Sequence, residues 1–214
     1  MNETIKTQLN HRTIRAFEEK PLTKEEVDLL VEVAQRTASS MYMQAYSIIS
    51  VTDPELKKAL AAVSGQPYVA NNGHLFVFVV DQRRNTEIAK ALGQEVGVQG
   101  SADRFVSGLT DAVIAAQNVV VAAESLGMGT VYLGSFFNDT AKVVELLNLP
   151  EYTYPAIGFA VGWPAQEPQL KPRLPKEVIH MENGYRELEN PLEELKEYDA
   201  TVTEYYDLRD ANRR

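Results

Sequence analysis

A chain of 214 residues, 44% of them hydrophobic and 24% charged, suffices for one large domain or two small ones with a sizeable core. Its net charge of −9 argues against nucleic acid as a partner, since phosphate-backbone binding rests on basic patches, although local arginines can still hold a small anion. The absence of cysteine excludes disulfides, thiolate metal sites, iron–sulfur clusters and a cysteine nucleophile, and it fits a cytoplasmic protein.

The opening stretch MNETIKTQLNHR lacks the apolar core of a signal peptide, and no run of ~18 uninterrupted apolar residues follows, so no membrane span is expected. Residues 2–9 read as a short helix with Ile5 and Leu9 on one face. Thr23 and Glu26 have capping-box spacing, and Val27, Leu30, Val31 and Ala34 recur at helical period, which predicts a helix over 24–36. Residues 46–52 read as a strand. Asp53-Pro54 is a helix start, with Asp as cap and Pro at the first helical position, and that helix ends near Gly65. The apolar run LFVFVV (75–80) predicts a buried strand. A Gly- and Gln-rich loop (93–101) leads to the longest helix, about 102–126, which is apolar around much of its second half and ends at Leu126-Gly127. Then follow a strand at 130–134, a helix starting near Asn138, a strand at 154–164, a Pro-rich loop at 165–176 and a final helix at 191–207. Strands separated by helices give an α+β or α/β sandwich.

The common catalytic signatures are missing. There is no phosphate loop of the G-x-x-x-x-G-K-[ST] type and no G-x-S-x-G elbow. Gly127-Met128-Gly129 approaches a dinucleotide fingerprint, but Tyr132 stands where the third glycine belongs, and the segment runs from helix to strand, the reverse of the Rossmann order. His11, His74 and His180 are scattered, which makes a metal site improbable. A cofactor that brings its own chemistry is the more attractive reading.

Four segments could hold such a cofactor. His11-Arg12-Thr13-Ile14-Arg15 places two guanidiniums and an imidazole within five residues, and Arg is suited to phosphate by its planar fork. Lys171 and Arg173 flank a rigid proline. Ser39, Ser40 and Gln44 put small polar groups between a helix and a strand, and Ser64-Gly65-Gln66 is either a helix cap or a ligand loop. Taken singly, the two basic segments are more often ordinary surface turns, and the serine-bearing segments serve equally as helix ends.

In order, HRTIR (11–15), RTASSMYMQAYSII (36–49), SGQPYVANN (64–72), DAVIAAQNVVVAAESLGMGTVYLG (111–134), GWPAQEPQLKPRLP (162–175) and EYYDLRDANRR (204–214) resemble the NADPH-dependent branch of the nitroreductase/flavin reductase family. The resemblance covers nearly the whole chain. It implies an α+β fold with a central, mostly antiparallel sheet wrapped by helices, in an interlocked homodimer with FMN at the interface. It implies a single FMN-binding domain over 1–214 whose stretch 190–214 serves as a coenzyme-binding or dimer-clasping arm. Matching positions for FMN are His11, Arg12, Thr13, Arg15, Ser39, Ser40, Gln66, Tyr132, Leu133, Gly134, Ser135, Lys171 and Arg173. Arg209, Arg213 and Arg214 are the candidates for the NADPH 2′-phosphate. Departures from the family pattern are Thr13 where Ser is frequent, Ser135 where a second Gly is frequent, and Met41 in the serine-rich loop. The implied activity is two-electron, ping-pong reduction of nitroaromatics, quinones, azo dyes or free flavin by NADPH, with NADH left open as a second donor. No metal, nucleic acid or membrane is implied. Two alternatives stand beside it: a flavin store or sensor with little turnover, and a flavin-independent domain whose arginines hold another phosphate ligand.

Overall fold

Caps written into the sequence set the element boundaries. The structure, a computed structural model, describes residues 1–211. Its chain order is α1 (Glu3–Leu9), α2 (Lys24–Gln35), β1 (Tyr46–Val51), α3 (Pro54–Ser64), β2 (His74–Asp81), α4 (Arg83–Ala91), α5 (Ala102–Ser125), β3 (Gly129–Leu133), α6 (Thr140–Leu146), β4 (Thr153–Gly162), α7 (Lys176–Ile179), α8 (Pro191–Glu194) and α9 (Lys196–Ala211). Thr23 and Glu26 form the reciprocal capping box of α2. Asp53 accepts from the Glu55 N–H at 2.8 Å to start α3, and Gly65 closes it in the left-handed conformation at φ 67°. Several expected boundaries move. The helix awaited near Asn138 begins at Thr140, after a 3₁₀ turn over Gly134–Asp139, and the expected final helix divides at Leu195.

Two compact units divide the chain, residues 1–168 and the residues that follow. In the first unit the four strands are ordered β1-β2-β4-β3, and every adjacent pair is antiparallel. The run LFVFVV lies in β2, an inner strand buried along its whole length, which explains an apolar run without alternation. Phe76, Phe78, Phe159 and Val161 face α2 and α5 on one side of the sheet. Leu75, Val77, Val131 and Leu133 face α3 and α6 on the other. Each fully buried Phe contributes about 2–3 kcal/mol by removing apolar surface from water.

By length and mean hydropathy, α5 would pass for a membrane span. Its apolar side is used otherwise: Ala112, Ala115, Ala116, Val119, Val120 and Ala123 are buried in the same cluster as the phenylalanines. Gly108 lets it close on the sheet, since a Cβ there would meet Val80 Cγ1 at 2.7 Å and the Ala45 carbonyl at 2.9 Å.

The second unit is described by itself. It carries α7, α8 and α9, with Arg186 paired to Glu194 at 3.3 Å and the Asn190 N–H donating to Glu194 at 3.0 Å.

Candidate functional site

The segment His11–Arg15 leaves α1 and becomes a strap on the open edge of β3. Thr13 forms a parallel bridge with Thr130, and the Ile14 N–H donates to the Thr130 carbonyl at 2.9 Å. Ile14 is buried against Gly129, where a Cβ would lie 2.5 Å from Ile14 Cγ1. The glycine pair that looked like a broken dinucleotide fingerprint thus has two structural tasks. Gly127 adopts φ 82° just past α5, and Gly129 admits the strap. Further on, the Glu18 N–H donates to the Trp163 carbonyl and the Ala165 N–H to the Ala16 carbonyl, each at 2.9 Å.

The strap presents three basic groups. His11 Nδ1 lies 2.6 Å from Glu124 Oε1, which also accepts from Thr130 Oγ1 at 2.8 Å. Arg12 Nε is buried and has no hydrogen-bond partner among the described residues. A buried guanidinium N–H without an acceptor is costly, so it points to an acceptor from outside the chain. Arg15 is exposed. Beside Arg12 a cleft of about 1050 Å³ opens between α1, the Gly127–Gly129 turn and residues 164–168.

The far end of β3 brings a second group together. Tyr132 turns toward α5, where its hydroxyl donates to Gln117 Oε1 at 3.2 Å, while Leu133 is buried on the opposite face. Burial, with the Glu124 carboxylate adding to it, pushes the Tyr132 phenol up, so it stays un-ionised. Gly134 is exposed, and nothing lies within 4 Å of where its Cβ would be. Ser135 Oγ is 2.5 Å from Ser64 Oγ at the end of α3. Gln66 follows the Gly65 cap in extended backbone, two residues beyond Ser64.

Ser39 and Ser40 stand elsewhere, before β1 at the opposite edge of the sheet. They are fixed by Asp111 of α5, a fully buried carboxylate. It accepts from Ser39 Oγ at 2.7 Å, the Ser40 N–H at 3.0 Å and the Ala45 N–H at 3.2 Å. Ser39 Oγ also accepts from the Gln44 N–H at 2.7 Å. Within this turn Met41, Tyr42 and Gln44 have φ of 50°, 57° and 46°, a conformation non-glycine residues adopt only when their surroundings insist. Asp111 and Glu124 were not singled out from the sequence, because an acidic residue on an amphipathic helix ordinarily marks its solvated side.

Lys171 and Arg173 lie in the second unit, both exposed. Arg173 folds back to donate to the Lys171 carbonyl at 2.9 Å, and the Lys171 ammonium stands 5.9 Å from the centre of the Tyr206 ring. Arg209 falls in α9, and Arg213 and Arg214 lie outside the described residues. Among the described residues no group of three or more His, Asp or Glu could hold a metal ion.

Comparison with known proteins agrees over the full length. The nitroreductase family model matches residues 9–163, and that of the nitroreductase family C-terminal domain matches residues 171–214. An FMN reductase (NADPH) of Bacillus subtilis is 44% identical over 217 residues, covering 100% of this chain and 87% of the relative. An NADPH-dependent oxidoreductase of Staphylococcus epidermidis is 45% identical over 203 residues, 93% of this chain and 81% of the relative. Among solved structures, a nitroreductase of B. subtilis superposes with a TM-score of 0.94 at 43% identity, covering 99% of this chain and 87% of its own. The NADPH:FMN oxidoreductase of Vibrio harveyi, solved with NAD+, gives a TM-score of 0.89 at 39% identity, covering 96% and 87%. The fold, the strap on β3 and these full-length matches agree, and the chain belongs to the nitroreductase family.

Proposed function

We propose that this chain is an FMN-dependent oxidoreductase that takes its electrons from NADPH and works as a homodimer. The observation that carries this reading is the full-length match to a relative named FMN reductase (NADPH). The residues fit the cofactor. The unpartnered Arg12 Nε calls for an anionic acceptor, and the open Gly134 turn leaves room for a flat ring to approach.

Bound FMN would supply the redox chemistry, passing two electrons from NADPH to a nitroaromatic, quinone, azo compound or free flavin in ping-pong order. The chain's own task is to hold and orient it. In this reading Arg12 and Arg15 offer cationic donors for the phosphate or for the negative charge that reduction adds to the ring. His11, Thr13 and Gln66 give polar contacts, and the segment Tyr132, Leu133, Gly134 and Ser135 lines the ring with backbone and small side chains. Ser39 and Ser40 come from the loop before β1. Three strand spacings, roughly 14 Å, separate β1 from β3. The proposed homodimer removes that separation by setting this loop of one copy against the strap of the other. The assignments of Lys171 and Arg173 to the flavin, and of Arg209 to the NADPH 2′-phosphate, rest on the family pattern alone.

The test is to purify the protein, record its visible spectrum, and add NADPH without oxygen. The expected result is a yellow protein that bleaches and regains its colour on addition of a nitroaromatic or quinone. A colourless protein that refuses added FMN overturns the reading. A yellow one that NADPH does not bleach is a flavin store and overturns the enzymatic part.

A further inference from the structure

Glu124 occupies a place that physics disfavours for a carboxylate. It lies in the last turn of α5, at the negative end of the helix dipole, and its side chain is only 12% exposed. One of its oxygens is shared by two groups from other elements, Thr130 Oγ1 at 2.8 Å and His11 Nδ1 at 2.6 Å. Thr130 is itself the residue on which the strap is hydrogen-bonded.

We propose that Glu124 is a positioning residue for the flavin site: it fixes the His11 ring with the hydrogen on Nδ1, so that Nε2 is the nitrogen turned to the cofactor. This rests on the proposed assignment of His11 to FMN. An ionised carboxylate only accepts hydrogen bonds, so the imidazole nitrogen facing it must carry the hydrogen. That holds whatever the charge on the ring. Nε2 has no protein partner among the described residues and is the nitrogen left for a ligand. The same device sets the tautomer and angle of metal-bound histidines, where a carboxylate behind the ring is worth 10–100-fold in affinity. Here Thr130 keeps the carboxylate from rotating, and Gly129 keeps the strap close enough for His11 to reach it.

Two measurements test this. The chain has three histidines, so nitrogen-15 NMR of the ring nitrogens in the flavin-free protein can resolve them. His11 is expected as the Nδ1–H form in the wild type and in Glu124→Gln, whose side-chain oxygen still accepts, and as a mixture in Glu124→Ala. The second is FMN titration of a double-mutant cycle. Glu124→Ala is expected to weaken FMN about tenfold, Glu124→Gln to stay within about twofold of wild type, and Glu124→Ala to add almost nothing in a His11→Ala background. An equal loss with and without His11 makes Glu124 a staple of the fold and overturns the proposal. So does an Nε2–H wild-type ring. If His11→Ala leaves FMN affinity unchanged while the NMR result holds, it is the flavin assignment of His11 that fails, and the proposal falls with it.

Discussion

At the scale of single residues, two histidines that look alike in the sequence meet opposite surroundings. His11 faces a carboxylate. His74 begins β2, buried, with its ring centre 4.4 Å from that of Phe76 and its Nε2 2.9 Å from Ser50 Oγ. Among the described residues, the charged group that acts on it is the ammonium of Lys57, which donates to Asn72 at 3.2 Å. Burial, reinforced by Lys57, pushes the His74 pKa down to about 4. The folded protein therefore disfavours the charged ring. This contribution to stability is complete above the unfolded value of about 6.5 and is lost as pH falls from there toward 4. Between pH 7 and pH 5 the wild type should lose about 1 kcal/mol more stability than His74→Asn, measured by denaturant unfolding at each pH. The full shift would give nearly 2 kcal/mol by the same linkage, but Ser50 on the ring's far side is exposed and lets water screen the charge. Parallel pH curves for the two proteins would show that His74 is not responsible.

At the scale of elements, legibility followed the kind of signal each element carries. Caps and apolar periods are local, so α2, α3, β1, β2 and α5 could be read almost to the residue. The helix α4 could not: its segment RRNTEIAKA is mostly polar, and Thr86 is its one buried residue. It is held by features invisible in a linear reading, such as Arg84 donating to the carbonyls of Gln44 and Tyr46. The candidate site shows the same division. HRTIR, Gln66 and Gly134 announced themselves by composition and order, whereas Asp111 and Glu124 act through contacts 66 to 113 residues away in sequence. Asp111 makes a direct prediction for the loop it organises. Asp111→Ala leaves three donors without their acceptor; the buried one, the Ala45 N–H, costs about 1–3 kcal/mol if left unsatisfied. The left-handed backbone at Met41, Tyr42 and Gln44 then loses its restraint. Hydrogen exchange of the amides at 39–45 should rise by more than tenfold, an opening change of over ~1.4 kcal/mol, while that of β2 changes only as far as global stability does. Uniform loss of protection across the protein would mean Asp111 supports the core and not the loop.

At the scale of the whole molecule, the proposed dimer can be tested by dividing the site between two chains. The strap lies at β3 and the Ser39-Ser40 loop precedes β1, at opposite edges of one four-stranded sheet. If one copy contributes the strap and the other the loop, a chain carrying Arg12→Ala and Arg15→Ala should complement a chain carrying Ser39→Ala and Ser40→Ala. In the mixed dimer one site collects both sets of defects and the other collects none. Each homodimer of a variant carries a defect in both sites. Co-expression with two different tags isolates the mixed species, and flavin absorbance against protein concentration counts its sites. The expected ratio is one tightly bound FMN per mixed dimer, with affinity equal to wild type, while both variant homodimers bind weakly. If strap and loop instead served a site within one chain, every site in the mixed dimer would keep a defect, and no wild-type affinity would return. The complementation therefore depends on the arrangement and not on how much affinity any one side chain supplies. It holds even though the Ser39 hydroxyl is already engaged by Asp111 and the Gln44 N–H, because removing it disturbs the loop whether or not it touches the cofactor.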